Sequence, residues 1–234
     1  MVKLSRSKID LFLECPRCFW LDVKNKIKRP SFPPYTINLA IDHLLKEEFD
    51  HFRELQQAHP VMQKFGIDAV PYQSADLSRW RHNFTGVQFH HQPTDFLTFG
   101  AVDDVWLNPQ GELIVVDYKA TGANQHQIYD SYARQMEIYQ WLLRQNGFAV
   151  SPTGYFLFAR ANKTNGFGAK RAGKQNSETN GVLPFDLFIE PCAGDDSWLE
   201  QTLRNARGVY DLDKSPAPAP ECEHCLYQQS AGRF

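Results

Sequence analysis

Residues 100–121 read as two apolar strands around a turn. Asn108-Pro109-Gln110-Gly111 has the chemistry of a three-residue hairpin loop: Pro109 is preset for a type I turn, and Gly111 is free to take the left-handed conformation that closes it. Pairing Asn108 with Glu112 and counting outward sets Leu107 opposite Leu113, Val105 opposite Val115 and Asp103 opposite Asp117. The two-residue period of a strand puts Lys119 on the face of Asp117, and Val102, Trp106, Ile114 and Val116 on the other.

Helical spacing marks residues 37–52, with Ile37, Ile41, Leu44, Leu45 and Phe52 as the apolar stripe. On that wheel Glu48 falls in the middle of the apolar face, Asp42 falls at its edge beside Leu45 and Phe49, and His43 and Glu47 turn away. A second long helix is expected over 126–146, with Tyr129, Tyr132, Met136, Tyr139 and Leu143 as its stripe, Gln135 at the flank and Gly147 as its stop. Around these lie a first helix capped by Ser5 or Ser7, carrying Ile9, Phe12 and Leu13 and restarting at Pro16. Strands are expected at 86–91, 153–161 and 183–190, a short helix at 76–81 and a last helix at 197–212. Such an order predicts an α/β fold, a central mixed β-sheet flanked by helices.

The polar stretch 162–181 is too long for an ordinary hairpin tip and carries Lys163, Lys170, Arg171 and Lys174 against the single acid Glu178. It is either a solvated loop or a basic arm that grips a phosphate backbone. At 234 residues the chain is expected to be one domain, 1–234. Its net charge of −2 neither supports nor excludes a nucleic-acid partner. No apolar run reaches the length of a membrane span, and the start lacks the pattern of a signal peptide, so a cytoplasmic protein without a membrane partner is expected.

A hairpin that needed only to fold would not spend Asp103, Asp117 and Lys119 in its strands, because burying an unpaired charge costs of order several kcal/mol. An ordinary ion pair of Asp103 or Asp104 with Lys119 is the plain explanation, but a second carboxylate facing the first outnumbers the lysine. A hard divalent ion with oxygen ligands, Mg²⁺ or Mn²⁺, accounts for both acids.

Four of the five cysteines form two pairs, Cys15/Cys18 and Cys222/Cys225, at opposite ends of the chain. Each Cys-x-x-Cys offers two thiolates on one side of a turn, and two of them complete a tetrahedral site that clasps residues 1–30 to 214–234. Spacing alone favours Zn²⁺, and Cys192 is expected in the core.

The ordered set resembles the PD-(D/E)XK nuclease superfamily, and within it the RecB-like branch that includes CRISPR-associated exonucleases and the AddB nuclease domain. Ser5-x-x-x-Ile9-x-x-Phe12-x-x-Cys15-Pro16 is similar to the branch's amino-terminal helix, Gly100-x-x-Asp103 to its second motif, Asp117-Tyr118-Lys119 to its third, and Gln135-x-x-x-Tyr139 to the helix that follows. The resemblance implies a restriction-endonuclease-like core, with residues 85–160 as the catalytic part. It also implies a metal-dependent DNA nuclease, an exonuclease in repair, recombination or defence, with a helicase or other repair or defence protein as a partner. Asp103, Asp117 and the Tyr118 carbonyl would hold Mg²⁺ or Mn²⁺, with Asp42, in the place of the branch's histidine, and Glu48 extending the shell. Lys119 would act on the attacking water, and Gln135 and Tyr139 would position it or the substrate. Relatives of this branch join their chain ends through a 4Fe–4S cluster, usually with one amino-terminal and three carboxyl-terminal cysteines, where this chain has two and two; the resemblance thus implies a 4Fe–4S cluster on Cys15, Cys18, Cys222 and Cys225, with Zn²⁺ as the alternative. A catalytically silent nuclease-fold module that binds nucleic acid, or a zinc-clasped interaction protein, is the alternative.

Overall fold

The hairpin forms in the expected register. Strands β5 (Asp104–Leu107) and β6 (Leu113–Thr121) pair antiparallel with Leu107 opposite Leu113 and Val105 opposite Val115. The turn closes with Asn108 and Glu112 bonded through their main chains and Gly111 at φ 79°. The structure is a computed structural model and describes residues 1–31, 33, 35–124, 127–164 and 182–232. Lys170, Arg171 and Lys174 of the expected basic arm lie outside the described residues, while Lys163 donates to the carbonyl of Gly122 at 2.8 Å.

One five-stranded sheet carries the hairpin. Its order is β2 (Val70–Pro71), β5, β6, β7 (Thr153–Ala161) and β8 (Phe185–Ala193), antiparallel except between β6 and β7. That parallel pair is bridged by helix α6 (Asp130–Gln145), as a parallel connection requires. A second sheet has three strands, with β4 (Phe96–Gly100) between β1 (Val2–Ser5) and β3 (Val87–His91), and of these only β3 is expected from the sequence pattern. Its parallel pair brings Val2 opposite Phe96, a pairing too distant in sequence for local patterning to reveal.

The five-stranded sheet separates two cores. Val105, Leu113, Val115, Phe156 and Phe158 face α6, through Met136, Tyr139 and Leu142, and pack with α1 (Arg6–Glu14), α2 (Pro16–Val23) and α7 (Leu199–Asp211). Trp106, Ile114, Val116, Tyr118 and Leu157 face α3 (Thr36–Leu55) and α4 (Pro60–Lys64) through Ile41, Leu45, Phe49 and Met62. Val102 joins the Val105 side instead of the expected Trp106 side, because the chain bends at Asp103 and breaks the alternation. Short α5 (Leu77–Trp80) lies near its expected place, and α8 (Glu223–Ala231) is an additional helix. No helix among the described residues is long and apolar enough to cross a membrane.

Helix α3 has the expected extent but a different phase. Its buried row is Ile41, Leu45, Phe49 and Arg53, a strict four-residue repeat, whereas Leu44 is 61% exposed and Ile37 is also exposed. Leu13 and Tyr129, placed on apolar stripes by pattern, are exposed too.

Candidate metal and nucleic-acid site

The end of the hairpin, α6 and α3 meet at one cleft. Asp117 and Lys119 alternate onto the α6 side of β6, and α6 lays Gln135 over them. Gln135 Nε2 donates to Asp117 Oδ1 at 2.6 Å and to the Tyr139 hydroxyl at 3.0 Å, while its Oε1 accepts from Lys119 Nζ at 3.3 Å. The Lys119 ammonium forms an ion pair with Asp117 Oδ2 and lies 4.5 Å from the centre of the Tyr132 ring. Gly100 lets Tyr139 in, since a Cβ there would stand 2.5 Å from Tyr139 Cε1. The shape of this corner thus depends on the missing side chain at Gly100 as much as on the charged groups.

Asp103 sits at the bend, where its Oδ2 accepts the Tyr118 N–H at 3.0 Å and its Oδ1 accepts Lys46 Nζ at 3.2 Å. Lys46 also bonds Asp42 at 2.7 Å, one helical turn back on α3. Asp42 therefore reaches the group through Lys46. His43 points to solvent, 71% exposed and paired only loosely with Glu47 at 3.4 Å, as the wheel predicts. Glu48 corrects the sequence reading: with the buried row passing through Leu45 and Phe49, its half-exposed carboxylate turns to His59 Nε2 at 2.7 Å and joins neither Asp103 nor Asp117. A polar cleft of about 260 Å³ opens beside Asp103, Gln135 and Tyr139, lined also by Ser5, Arg6, Ser7 and Asn83. A second opening beside Asp42, Lys119 and Tyr132 lies between α3 and α6.

Behind the site, Asp104 turns inward and is fully buried. It accepts from the Tyr118 hydroxyl at 2.7 Å, from Arg81 Nη2 at 3.0 Å and from Arg53. Arg81 also holds both oxygens of Asp50 at 2.8 Å and donates Nε to the Asp103 carbonyl at 2.8 Å. Two guanidinium groups and two carboxylates thus neutralise each other and fix the main chain on which Asp103 stands.

Asp117 is 1% exposed, and its carboxyl is raised to about 7, first by burial and then by the negative charge of Asp103, with Lys119 pulling the other way. Burial and Asp103 likewise raise Asp42. Burial works against the Lys46 ammonium, but Asp103 and Asp42 outweigh it and hold its pKa above the ordinary lysine value. These shifts are those of a negative site short of cation. Asp117 Oδ2 is buried and receives no hydrogen bond, only the ion pair, so it is a hard oxygen available to a metal. Asp103 and Asp117 fit Mg²⁺ or Mn²⁺ as two carboxylate ligands, with the Tyr118 carbonyl next to Asp117 in sequence; no third acid, thiolate or imidazole among the described residues closes a compact set with them.

The four cysteines do close such a set. Cys15, Cys18, Cys222 and Cys225 are buried, with all four sulfurs within 4.8 Å of one another. Cys15 and Cys225 are 3.9 Å apart, Cys18 and Cys222 3.7 Å, and Cys18 and Cys225 3.5 Å. Four thiolates at the Zn–S distance of about 2.3 Å stand about 3.8 Å apart at the corners of a tetrahedron. In a cubane each thiolate binds a different iron, with sulfides between, which requires far wider spacing. Arg29 Nη2 donates to Cys222 Sγ at 3.3 Å and the Ala219 N–H to Cys15 Sγ at 3.5 Å, support suited to thiolates. Burial raises Cys18 and Cys225; at Cys15 it is outweighed by the N–H groups of Ala219 and Cys18, which bring the thiol down to about 7. Cys192 is buried apart, as expected.

Lys46, Arg53, Arg81 and Asp104 are the residues that sequence reasoning does not place. For Lys46 a signal exists, since it follows Asp42 by one turn. For Arg81 there is none, because its partners lie on other segments.

A family model described as the PD-(D/E)XK nuclease superfamily matches residues 3–230. No curated protein matches. Among solved structures, the crystal structure of SSO0001 is similar at TM-score 0.45 and 13% identity, covering 98% of this chain and 85% of that one. An alkaline exonuclease from Laribacter hongkongensis is similar at TM-score 0.44 and 8% identity, covering 99% and 94%.

Proposed function

The chain belongs to the PD-(D/E)XK nuclease superfamily, and on that premise we propose that it is a metal-dependent DNA nuclease of the RecB-like type. The observation that carries the reading is the placement of Lys119, whose ammonium lies between Asp117 and the Gln135 carbonyl oxygen at the opening between α3 and α6. Asp103, Asp117 and the Tyr118 carbonyl would hold Mg²⁺ or Mn²⁺, which would supply a water of lowered pKa and neutralise charge on the phosphate.

Lys119, as an ammonium, would orient the attacking water, whose proton would pass to solvent. The water oxygen forms a bond to phosphorus, the bridging P–O bond breaks, and the departing oxygen leaves with a proton from solvent. Gln135 keeps Asp117 and Lys119 in place, and Tyr139 fixes the Gln135 amide. Residues 1–234 act as one nuclease unit, with 85–160 as its core. Action from DNA ends in repair, recombination or defence, beside a helicase in the cytoplasm, extends the same reading and rests on the sequence resemblance.

For the cysteine clasp, sulfur spacings of 3.5–3.9 Å favour a single tetrahedral Zn²⁺ over the 4Fe–4S cluster that the resemblance implies. The ion joins segments 210 residues apart in sequence and restricts the unfolded chain accordingly.

Digestion of linear and circular, single- and double-stranded DNA with and without Mg²⁺ tests the function. Wild type should cleave only with the ion, and Lys119→Ala should abolish cleavage while keeping most of the ion affinity. Digestion by Lys119→Ala at the wild-type rate would overturn the mechanism. Ion-independent DNA binding with no cleavage of any substrate would favour the silent module instead.

A further inference from the structure

We propose that Lys46 is the second cation of the nuclease site: held by Asp42, its ammonium takes the place of a second metal ion and receives a non-bridging oxygen of the scissile phosphate. The proposal rests on the nuclease reading and names how many divalent ions that site uses.

Position supports it first. Lys46 Nζ lies 2.7 Å from Asp42 and 3.2 Å from Asp103, between two carboxylates on different elements, where a bridging ion would otherwise be needed. The side chain comes from the rigid middle of α3 and is 20% exposed, so it is fixed in place without being sealed off. An ammonium has three donors; Asp42 and Asp103 take two, which leaves one for a phosphate oxygen.

Charge supports it independently. Asp42, Asp103 and Asp117 against Lys46 and Lys119 leave the cluster at a formal charge of minus one. One divalent ion turns this to plus one, the complement of a single phosphodiester. A second divalent ion would leave an excess of two positive charges with substrate bound. Around it Arg53 and Arg81 are balanced by Asp50 and Asp104, Glu48 is turned to His59, and Arg6 shares Asp10 with Arg134, a surplus of positive charge that weighs further against a second divalent ion. Asp42 is on this account a positioning residue for Lys46 and not a metal ligand.

Mn²⁺ titration of the zinc-loaded full chain without DNA tests the proposal. Wild type should bind one Mn²⁺ that Asp117→Asn removes, and Lys46→Gln should bind a second ion or hold the first at least about tenfold tighter, because Asp42 and Asp103 lose their built-in cation. The affinity of a linear duplex oligonucleotide in Ca²⁺ should lose salt dependence in Lys46→Gln by about one phosphate contact, a slope change of about 0.9, and Lys46→Arg should restore it. Two Mn²⁺ ions in wild type, both removed by Asp117→Asn, would overturn the proposal. So would Lys46→Gln with an unchanged ion count, ion affinity and salt slope. If Asp117→Asn removes no Mn²⁺ from the wild-type count, the nuclease reading itself fails and this proposal falls with it.

Discussion

Gln135 Nε2 donates to Asp117 Oδ1 at 2.6 Å, a neutral side chain of one helix stabilising the charged form of a buried carboxylate on a strand. That bond opposes the burial that lifts Asp117 to about 7. Gln135→Ala should therefore push the carboxyl higher and move the acid limb of the single-turnover pH–rate profile to higher pH. The rate at the optimum should drop by about tenfold to a hundredfold as Lys119 loses its second holder. An unmoved acid limb would show that Gln135 acts on something other than Asp117.

On the proposed reading, proton and metal compete for the Asp117 carboxylate. Asp117 in the folded protein titrates near 7, against about 3.9 when unfolded, so between these values the folded state binds more protons than the unfolded state. Stability contributed by that proton is present at low pH and is lost as pH rises towards 7, and Asp42 shifts in the same direction. Thermal unfolding should show Mn²⁺ raising Tm at pH 8 much more than at pH 5. Asp117→Asn should flatten the difference; equal stabilisation at both pH values would contradict the assignment.

The two adjacent residues on α3 should separate cleanly. Asp42 holds Lys46 against Asp103, whereas His43 lies in solvent. Asp42→Ala should lower the cleavage rate by about a hundredfold or more, and His43→Ala by less than about twofold. The reverse order would mean that the helix is rotated in the working protein.

Asp104 is expected to matter to stability before chemistry. Removing its charge leaves the Arg53 and Arg81 groups buried with only Asp50 to share. Asp104→Ala should cost about 3–5 kcal/mol in urea unfolding, the usual scale for breaking one side of a buried ion network. A loss below about 1 kcal/mol would show the network to be solvated.

Serine at any one of Cys15, Cys18, Cys222 or Cys225 should release the same single ion and destabilise the domain to a similar degree, and Cys192→Ser should release none. The purified protein should be colourless and contain one zinc. A brown protein with an absorbance that bleaches on reduction would restore the cluster, and a dispensable cysteine pair would remove the clasp altogether.

The parts legible in the sequence are those set by neighbours along the chain. The hairpin register follows from one turn and a two-residue period, so the order of residues is enough to group Asp103, Asp117 and Lys119. Gln135 follows from its position one turn before Tyr139. The α3 face is different: hydropathy weights Ile37 and Leu44 as core although they are exposed, and hides Arg53, a charged residue inside the buried row. That error of phase puts Glu48 at the site and passes over Lys46. Strands β1 and β4 escape the pattern because they complete each other across most of a hundred residues of intervening chain, far beyond the window of roughly 11–18 residues over which periodicity is read.

Asp103 and Asp104 are identical letters in opposite surroundings, one at the mouth of the cleft and the other sealed among arginines. A comparison of sequences that slid by a single position across this doublet would still match aspartate to aspartate and register no error. On the proposed reading it would exchange a metal-binding carboxylate for a structural counter-ion. Any homologous chain with only one acid here must therefore be sorted by what stands at the positions of Arg53 and Arg81: where both guanidiniums persist, the surviving acid answers to them, and the loss falls on catalysis.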